Sequence, residues 1–190
     1  AARLIRDAKR PVILAGHGVH LSGAHSELKE LAEKAQIPVV TTLLGVSSFP
    51  ETHVLSVGMP GMHGVAYASI AIDRSDVLIS LGARFDDRVT GRISEFAPQA
   101  KVIHIDVDPS VIGLNVKTLI PIVGDLRRVL RDLNRIIEVQ SRPEWLDEVE
   151  QIRREHPSLR IHQSKKLLQQ EVIKQLSEAT AGKAIIVTGV

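Results

Sequence analysis

The sequence lacks cysteine, which excludes disulfide bonds, thiolate metal sites and a cysteine nucleophile and is typical of a reducing compartment. It also lacks an excess of either charge, because 24 Lys and Arg residues stand against 22 Asp and Glu residues. Neither nucleic acid nor a membrane surface is therefore expected as a partner. No apolar run approaches the roughly 20 residues that a membrane-spanning helix needs.

Familiar metal-binding and catalytic motifs are missing as well. The eight histidines include no HxxxH or HExxH pair, so no metal site is predicted. No Ser/His/Asp set or pair of acid–base carboxylates can be assigned. At 190 residues, 44% of them apolar, the chain is long enough for one substantial domain and a fragment of a second. Because it lacks an initial Met and stops directly after an apolar run, we expect a piece of a longer protein.

What the sequence does contain is an alternation of short apolar runs with amphipathic segments. The segments predict helices, for example at 26–35 and 64–72. This alternation predicts an α/β fold with a doubly wound, mostly parallel sheet, and continuous runs such as VLISL suit strands covered on both faces. The runs predict strands at 12–15, 39–42, 77–81, 101–106 and 120–123.

The predicted domain organisation has three parts. Residues 1–138 form one α/β domain, residues 139–163 a linker with a short helix at 144–155, and residues 164–190 the start of another domain. The last apolar run, 184–188, could be a sixth strand of the first sheet or the first strand of the new domain. We favour the new domain.

The stretch from 58 to 91 carries the strongest functional signal. It begins within a Gly-, Ser- and Pro-rich segment, 45–63, which predicts a long loop of the kind that is usually functional or mobile. It ends just after a strand, with the charged turn RFDDR at 84–88. In open α/β sheets, ligands bind beyond the carboxyl ends of the strands, so this turn is predicted to face a ligand.

The glycines after the first strand do not match a standard NAD site. Residues 16–18 (GHG) follow a strand, but the next glycine is Gly23, so the GxGxxG spacing fails. No acid follows Thr41-Thr42 to hold a ribose hydroxyl. Acids do follow later strands, at Asp106 and Asp125, and could accept hydrogen bonds from a ribose or an adenine amino group.

Each of these features also has a purely structural interpretation. Residues 16–18 could form only a tight turn, and Asp125 could serve only as a helix N-cap. His63 taken alone is better explained as a structural residue, and Asp86-Asp87 could be a solvated turn. From the residues alone, an adenine-nucleotide site and ordinary turn and cap chemistry both stay open.

Two motifs resemble a known family. The run GMHG at 61–64, followed by GARFDDRVTG at 82–91, resembles the central domain of the acetohydroxyacid synthase (acetolactate synthase) catalytic subunit, a thiamine-diphosphate enzyme. The tail 186–190 resembles the first strand of that family's third domain. The resemblance also includes IPVVTTL, HIDVDP and IPIVGD, at 37–43, 104–109 and 120–125.

The resemblance implies a six-stranded, Rossmann-like domain that binds FAD in an extended pose, with the flavin in a structural rather than a redox role. Arg84 would offset phosphate charge, while Asp106 and Asp125 would hold the ribose and adenine end. Departures from the family pattern at His17 and Leu44 bear on the affinity for FAD and not on the fold. The implied FAD contacts are Gly16, His17, Gly18, Thr42, Leu43, Met62, His63, Gly64, Gly82, Ala83, Arg84, Asp106, Val107, Gly124 and Asp125.

The resemblance also implies two contributions to an active site. Met62 would form part of its wall, and Arg88 would recognise the carboxylate of a second 2-ketoacid, a task that suits a planar guanidinium. Asp87 could orient Arg88. Thiamine diphosphate and Mg²⁺ would be bound by domains outside this chain, so the chain alone is expected to be inactive.

The implied whole enzyme is a transferase that decarboxylates pyruvate and condenses the product with a second 2-ketoacid, the first common step of branched-chain amino-acid biosynthesis. Its implied partners are small 2-ketoacids, the missing domains of the same chain, further copies in a homo-oligomer and, as an open option, a regulatory subunit. A cytoplasmic location in a bacterium or archaeon is expected rather than a plastid. Two alternatives stay open: a related thiamine-diphosphate pyruvate oxidase or carboligase, and a stand-alone, non-catalytic nucleotide-binding module.

Overall fold

The computed structural model describes residues 1–158 and 166–187. The chain divides into two compact units, Ala1–Pro157 and Ser158–Val190. The domain boundaries predicted at 138 and 163 remain predictions.

The first unit is built on one six-stranded sheet, in which every pair of neighbouring strands is parallel. The order across the sheet is β3-β2-β1-β4-β5-β6, which is the order of the Rossmann dinucleotide-binding sheet. The predicted fold class, α/β with a doubly wound parallel sheet, is therefore confirmed. The strands are β1 Pro11–Ala15, β2 Val39–Thr41, β3 Ser56–Gly58, β4 Val77–Leu81, β5 Lys101–Asp106 and β6 Ile120–Val123.

Helices cover both faces of the sheet because the strands carry apolar side chains on both sides. In β1, Ile13 belongs to the core shared with α1, α2, α3 and α6, whereas its neighbour Leu14 belongs to the core shared with α4 and α7. Every residue of β1 and β4 is buried. The helices of this unit are α1 Ala2–Asp7, α2 Gly18–Ser22, α3 His25–Ala35, α4 Ala66–Arg74, α5 Asp87–Thr90, α6 Leu126–Ile136 and α7 Pro143–Glu155.

The sixth strand lies where the sequence predicted only a loop. Strand β3 occupies three residues within 45–63 and pairs with β2, with Val39 opposite Ser56. Three residues that end in a glycine are too short a run to show a strand pattern, so this part of the loop prediction was wrong. The run 184–188 is not the sixth strand of this sheet, and the described residues 184–187 form no strand; Thr188 lies outside the described residues.

Helix α7, predicted at 144–155 within a linker, packs into the core of the first unit. Trp145 is 2% exposed, and its indole Nε1 donates to the Pro11 carbonyl at 2.9 Å. Just before the helix, the buried Arg142 donates from its guanidinium to the carbonyls of Ile5, Ala8 and Ala35. The segment after α6 is therefore anchored to the sheet and to the ends of two other helices.

The second unit contains α8, Gln169–Ala179, within the helix predicted at 165–179. Its start at Lys165, the linker residues 159–163 and the last three residues of the tail lie outside the described residues. Within the described part of the chain, none of the helices combines the length and the apolar character needed to cross a bilayer.

Candidate functional site

The predicted cofactor residues follow adjacent strands and meet at one edge of the sheet. In sheet order, the segments after β2, β1, β4, β5 and β6 each carry some of them, and Met62 to Gly64 follow β3. Because all six strands are parallel, their carboxyl ends share this edge, which we call the carboxyl-edge strip. With strands about 4.8 Å apart, it extends over about 24 Å. The strip is thus a continuous row of residues on the scale of an extended dinucleotide.

Three glycines at the centre of the strip bring two loops into contact. A Cβ atom added to Gly16 would lie 2.2 Å from the Gly82 carbonyl oxygen, and one added to Gly82 would lie 2.5 Å from the Gly18 Cα. The Gly18 amide donates to the Gly82 carbonyl at 3.1 Å. These glycines therefore permit a close approach between the loops after β1 and β4, while their contacts with FAD remain predictions.

Gly45 is a further glycine of this kind, which sequence reasoning missed. A Cβ atom on it would lie 2.2 Å from the Ala15 carbonyl oxygen. Nearby, the Thr42 amide donates to the same carbonyl at 2.9 Å, and the Thr42 hydroxyl accepts from the Gly45 amide at 3.2 Å. The only sequence signal was an isolated glycine after the second strand, which is too common to single out.

The strip exposes large apolar side chains. Leu43 is 72% exposed, Met62 66% and Val107 72%, and Leu44 beside Leu43 is also exposed. These residues follow β2, β3 and β5, so apolar surface borders the strip at several points. Exposed apolar side chains are available here to contact a ligand.

The two predicted acids of the strip already hold backbone amides. Asp106 Oδ1 accepts from the Asp108 amide at 3.0 Å. Asp125 Oδ1 accepts from the Arg128 amide at 3.0 Å and caps α6, so Asp125 does act as the helix N-cap that its structural interpretation describes. In both residues this hydrogen bond uses one of the two carboxylate oxygens, Oδ1.

The charged turn at 84–88, which we call the arginine turn, is anchored by its middle residue. Phe85 has φ 55° and is 2% exposed. Its ring makes edge-to-face contacts with His104 and Phe96, at centroid distances of 5.0 and 5.8 Å. A left-handed φ is rare for a bulky residue and persists only where the surroundings enforce it.

The arginines of the turn remain open to solvent. The Arg84 guanidinium is 3.4 Å from Asp86, the Arg88 guanidinium is 3.3 Å from Asp87, and both arginine side chains are about two-thirds exposed. Such long, exposed ion pairs contribute little energy, so both guanidinium groups can exchange these partners for an anion. The contact from Asp87 to Arg88 is the one expected if Asp87 orients Arg88.

The structure brings Met62 and Arg88 together. The Met62 amide donates to the Arg88 carbonyl at 3.0 Å. Gly61 permits this contact, since a Cβ atom there would lie 2.1 Å from the same carbonyl oxygen. The next helix begins at Ala66 rather than at Gly64 as predicted, so residues 61–64 are a loop seated on α5.

His104, on β5, lies beneath the arginine turn and was not predicted as part of the site. It is fully buried, and neither ring nitrogen has a hydrogen-bond partner within the described residues. Burial lowers its pKa, so the ring is neutral where it supports Phe85. A histidine in an apolar run looks like any other core position in the sequence.

A row of histidines borders the strip near β2. His17 Nδ1 lies 3.2 Å from the Leu44 carbonyl oxygen, and His20 Nδ1 lies 3.0 Å from His25 Nε2. Among residues 1–158 and 166–187, no three His, Asp or Glu side chains are grouped so that they could hold a metal ion. His63 is exposed on its loop.

Comparison with known proteins gives a consistent result. Residues 1–133 match the model of the central domain of thiamine pyrophosphate enzymes. The chain is 49% identical over 181 residues to a probable acetolactate synthase large subunit of Methanocaldococcus jannaschii, covering 94% of this chain and 31% of the relative. It is 45% identical over 196 residues to the acetolactate synthase large subunit of Corynebacterium glutamicum, covering 100% of this chain and 31% of the relative. It is 41% identical over 194 residues to acetolactate synthase 1, chloroplastic, of Zea mays, covering 99% and 30%. The chain thus spans less than a third of the length of these relatives.

Proposed function

Since the chain belongs to the thiamine pyrophosphate enzyme family, as a central domain, we propose that it serves as the central domain of an acetolactate synthase catalytic subunit. In that role it binds FAD along the carboxyl-edge strip and presents Arg88 to the second 2-ketoacid. The observation that carries the proposal is the hydrogen bond from the Met62 amide to the carbonyl of Arg88, whose guanidinium is exposed.

The chemistry of the strip fits FAD. The exposed guanidinium of Arg84 suits a phosphate, with which it can form two parallel charge-assisted hydrogen bonds. Asp106 and Asp125 each retain a second carboxylate oxygen for ribose hydroxyls or an adenine amino group. Leu43, Met62 and Val107 offer apolar surface to a ring system. The cofactor's proposed role is structural, so the task of these residues is to bind it and thereby hold their loops in place.

Arg88 acts on the substrate by position and charge. A guanidinium presents its donors in a planar fork that matches a carboxylate, so Arg88 would hold the second 2-ketoacid through its carboxylate and orient its carbonyl group. The side chain of Met62, whose amide bonds to the Arg88 carbonyl, would form part of the apolar wall of the substrate site. The ion pair with Asp87 is exposed and weak, so a substrate carboxylate can replace Asp87 at the guanidinium.

Thiamine diphosphate supplies the electron sink for decarboxylation of pyruvate, and we propose that other domains of the protein bind it together with Mg²⁺. Among the described residues, no three His, Asp or Glu side chains are grouped as metal ligands. Homo-oligomerisation, a regulatory subunit and a cytoplasmic location remain predictions.

FAD binding is tested by titrating the purified chain with FAD and following the flavin fluorescence. Wild type is expected to bind saturably, and Arg84→Ala about tenfold more weakly, because a charge-assisted hydrogen bond is lost. The matched control is Arg74→Ala. Arg74 also carries one exposed ion pair, with Glu148, but it ends α4 just before β4 begins, at the opposite edge of the sheet. No saturable binding by wild type would contradict the FAD proposal, and equal losses in both variants would remove Arg84 from the site.

The role of Arg88 is tested in the full-length protein by competition between pyruvate and 2-ketobutyrate. Arg88→Ala is expected to raise the KM of the second 2-ketoacid by at least about tenfold, because one charge-assisted carboxylate contact is lost. The control is Arg92→Ala, since Arg92 is similarly exposed and pairs only with Glu95 in the described structure. An unchanged KM and product ratio in Arg88→Ala would favour a related pyruvate oxidase or carboligase.

A further inference from the structure

We propose that Asn115 is a positioning residue that holds the arginine turn in the conformation that presents both guanidinium groups. The inference rests on the proposed function of Arg84 and Arg88 and extends it to a residue 30 positions after Phe85, which lies between them. Asn115 is uncharged and belongs to none of the sequence motifs, and its hydrogen bonds in the fold are what connect it to the arginine turn.

The contact is a two-pronged hydrogen bond. The Asn115 side-chain amide nitrogen donates to the Arg84 carbonyl at 3.2 Å and to the Phe85 carbonyl at 3.0 Å. An amide group has two N–H donors, so a single side chain satisfies two successive carbonyls of the turn. Asn115 lies in the segment between β5 and β6, which has no regular structure around it.

Those two carbonyls flank the strained residue. Phe85 sits at φ 55°, where a bulky side chain is disfavoured, so its conformation must be enforced from outside. The ring is held from one side by His104 and Phe96, and the backbone from another by Asn115. Without the amide, the ring would stay buried while the backbone beside it became free to turn.

The conformation of Phe85 sets the relation between Arg84 and Arg88. One arginine precedes Phe85 and the other follows it, so a rotation about the Phe85 backbone moves one guanidinium relative to the other. Positioning errors of about 1 Å can lower an enzyme rate by about a hundredfold. Asn115 is therefore placed to align a cofactor contact with a substrate contact.

A purely structural role for Asn115 predicts something different. Asn115 is exposed, and within the described part of the chain its side chain bonds only to the arginine turn. If Asn115 positions the turn, removing these two hydrogen bonds should loosen the turn and leave the sheet and both cores unchanged. If Asn115 has a purely structural role, its removal should lower the stability of the whole unit.

The test measures amide hydrogen exchange in the 190-residue chain. Asn115→Asp keeps the size of the side chain but replaces the donor by an oxygen, and Asn115→Ala removes the group without adding charge. The control is Thr118→Ala, in the same segment, whose hydroxyl donates, among the described residues, only to the Val116 carbonyl. The reporters are the amides of Val89 and Thr90, which both bond to the Asp86 carbonyl.

Both Asn115 variants should exchange about tenfold faster at these amides, with exchange in β4 and the thermal midpoint unchanged. Thr118→Ala should match wild type. Unchanged exchange in both Asn115 variants would overturn the inference, and so would an increase that extends to β4.

The full-length protein separates this inference from the proposed function. There, Asn115→Asp should raise the KM of the second 2-ketoacid in the same direction as Arg88→Ala, with a smaller change in kcat. A shift in kcat alone would overturn the positioning role. If wild type makes no acetolactate, the proposed function fails, while the exchange result still decides whether Asn115 holds the turn.

Discussion

Replacing Gly82 by alanine is expected to lower the free energy of unfolding of the first unit by more than about 3 kcal/mol. Gly82 has φ 60°, which costs an L-residue about 1–2 kcal/mol. The added methyl would also lie 2.5 Å from the Gly18 Cα, and a backbone atom cannot move aside as a flexible side chain can. Urea denaturation followed by the fluorescence of Trp145, the single and buried tryptophan, measures the change.

Two further substitutions separate the strain from the clash. Gly23 has φ 64° and ψ 30°, the left-handed region, but a Cβ atom there meets nothing within 4 Å, so Gly23→Ala should cost only about 1–2 kcal/mol. Gly16 carries no positive φ but has the 2.2 Å contact with the Gly82 carbonyl oxygen. Gly16→Ala should therefore destabilise the unit more than Gly23→Ala. Equal losses at Gly82 and Gly23 would show that the loops can separate and that the contact is not required.

The sheet could be predicted from the sequence because its strands are continuous apolar runs. The strands predicted at 77–81, 101–106 and 120–123 have the bounds found in the structure. Strand β3 could not be predicted, since three residues at a sheet edge depend on pairing with β2 and not on their own pattern. Helix α7 was predicted, but its burial was not, because the segment around it is polar and reads as a linker.

The position of the carboxyl-edge strip could be predicted from the sequence, but the residues that support it could not. Parallel strands bring their carboxyl ends to one edge, so a motif at the end of each strand is enough to expect the strip. The family resemblance is confirmed by the match over residues 1–133, while the individual FAD contacts remain predictions. Asn115, His104 and Gly45 support the strip through contacts between distant parts of the chain, for which a single sequence has no signal.

The same limit applies to Arg142, where we expect a second large loss of stability. Arg142→Met should lower the free energy of unfolding of the first unit by about 3–5 kcal/mol. Arg142 is 7% exposed, and its guanidinium donates to carbonyls at the ends of α1 and α3. Helix carboxyl ends carry unpaired carbonyls and a partial negative charge, and both favour a cation there.

Methionine fills much of the arginine's volume, so the loss would come from the carbonyls and not from a cavity. Replacing a buried ion pair by apolar residues can be neutral when both partners are removed, but here the partners are the backbone carbonyls of Ile5, Ala8 and Ala35, which remain. Arg135→Met is the control, because Arg135 is exposed and pairs with Asp132, and it should cost less than about 0.5 kcal/mol. If both substitutions cost the same in urea denaturation, water or a rearranged donor must replace the guanidinium, and the segment before α7 would not be what ties these helix ends together.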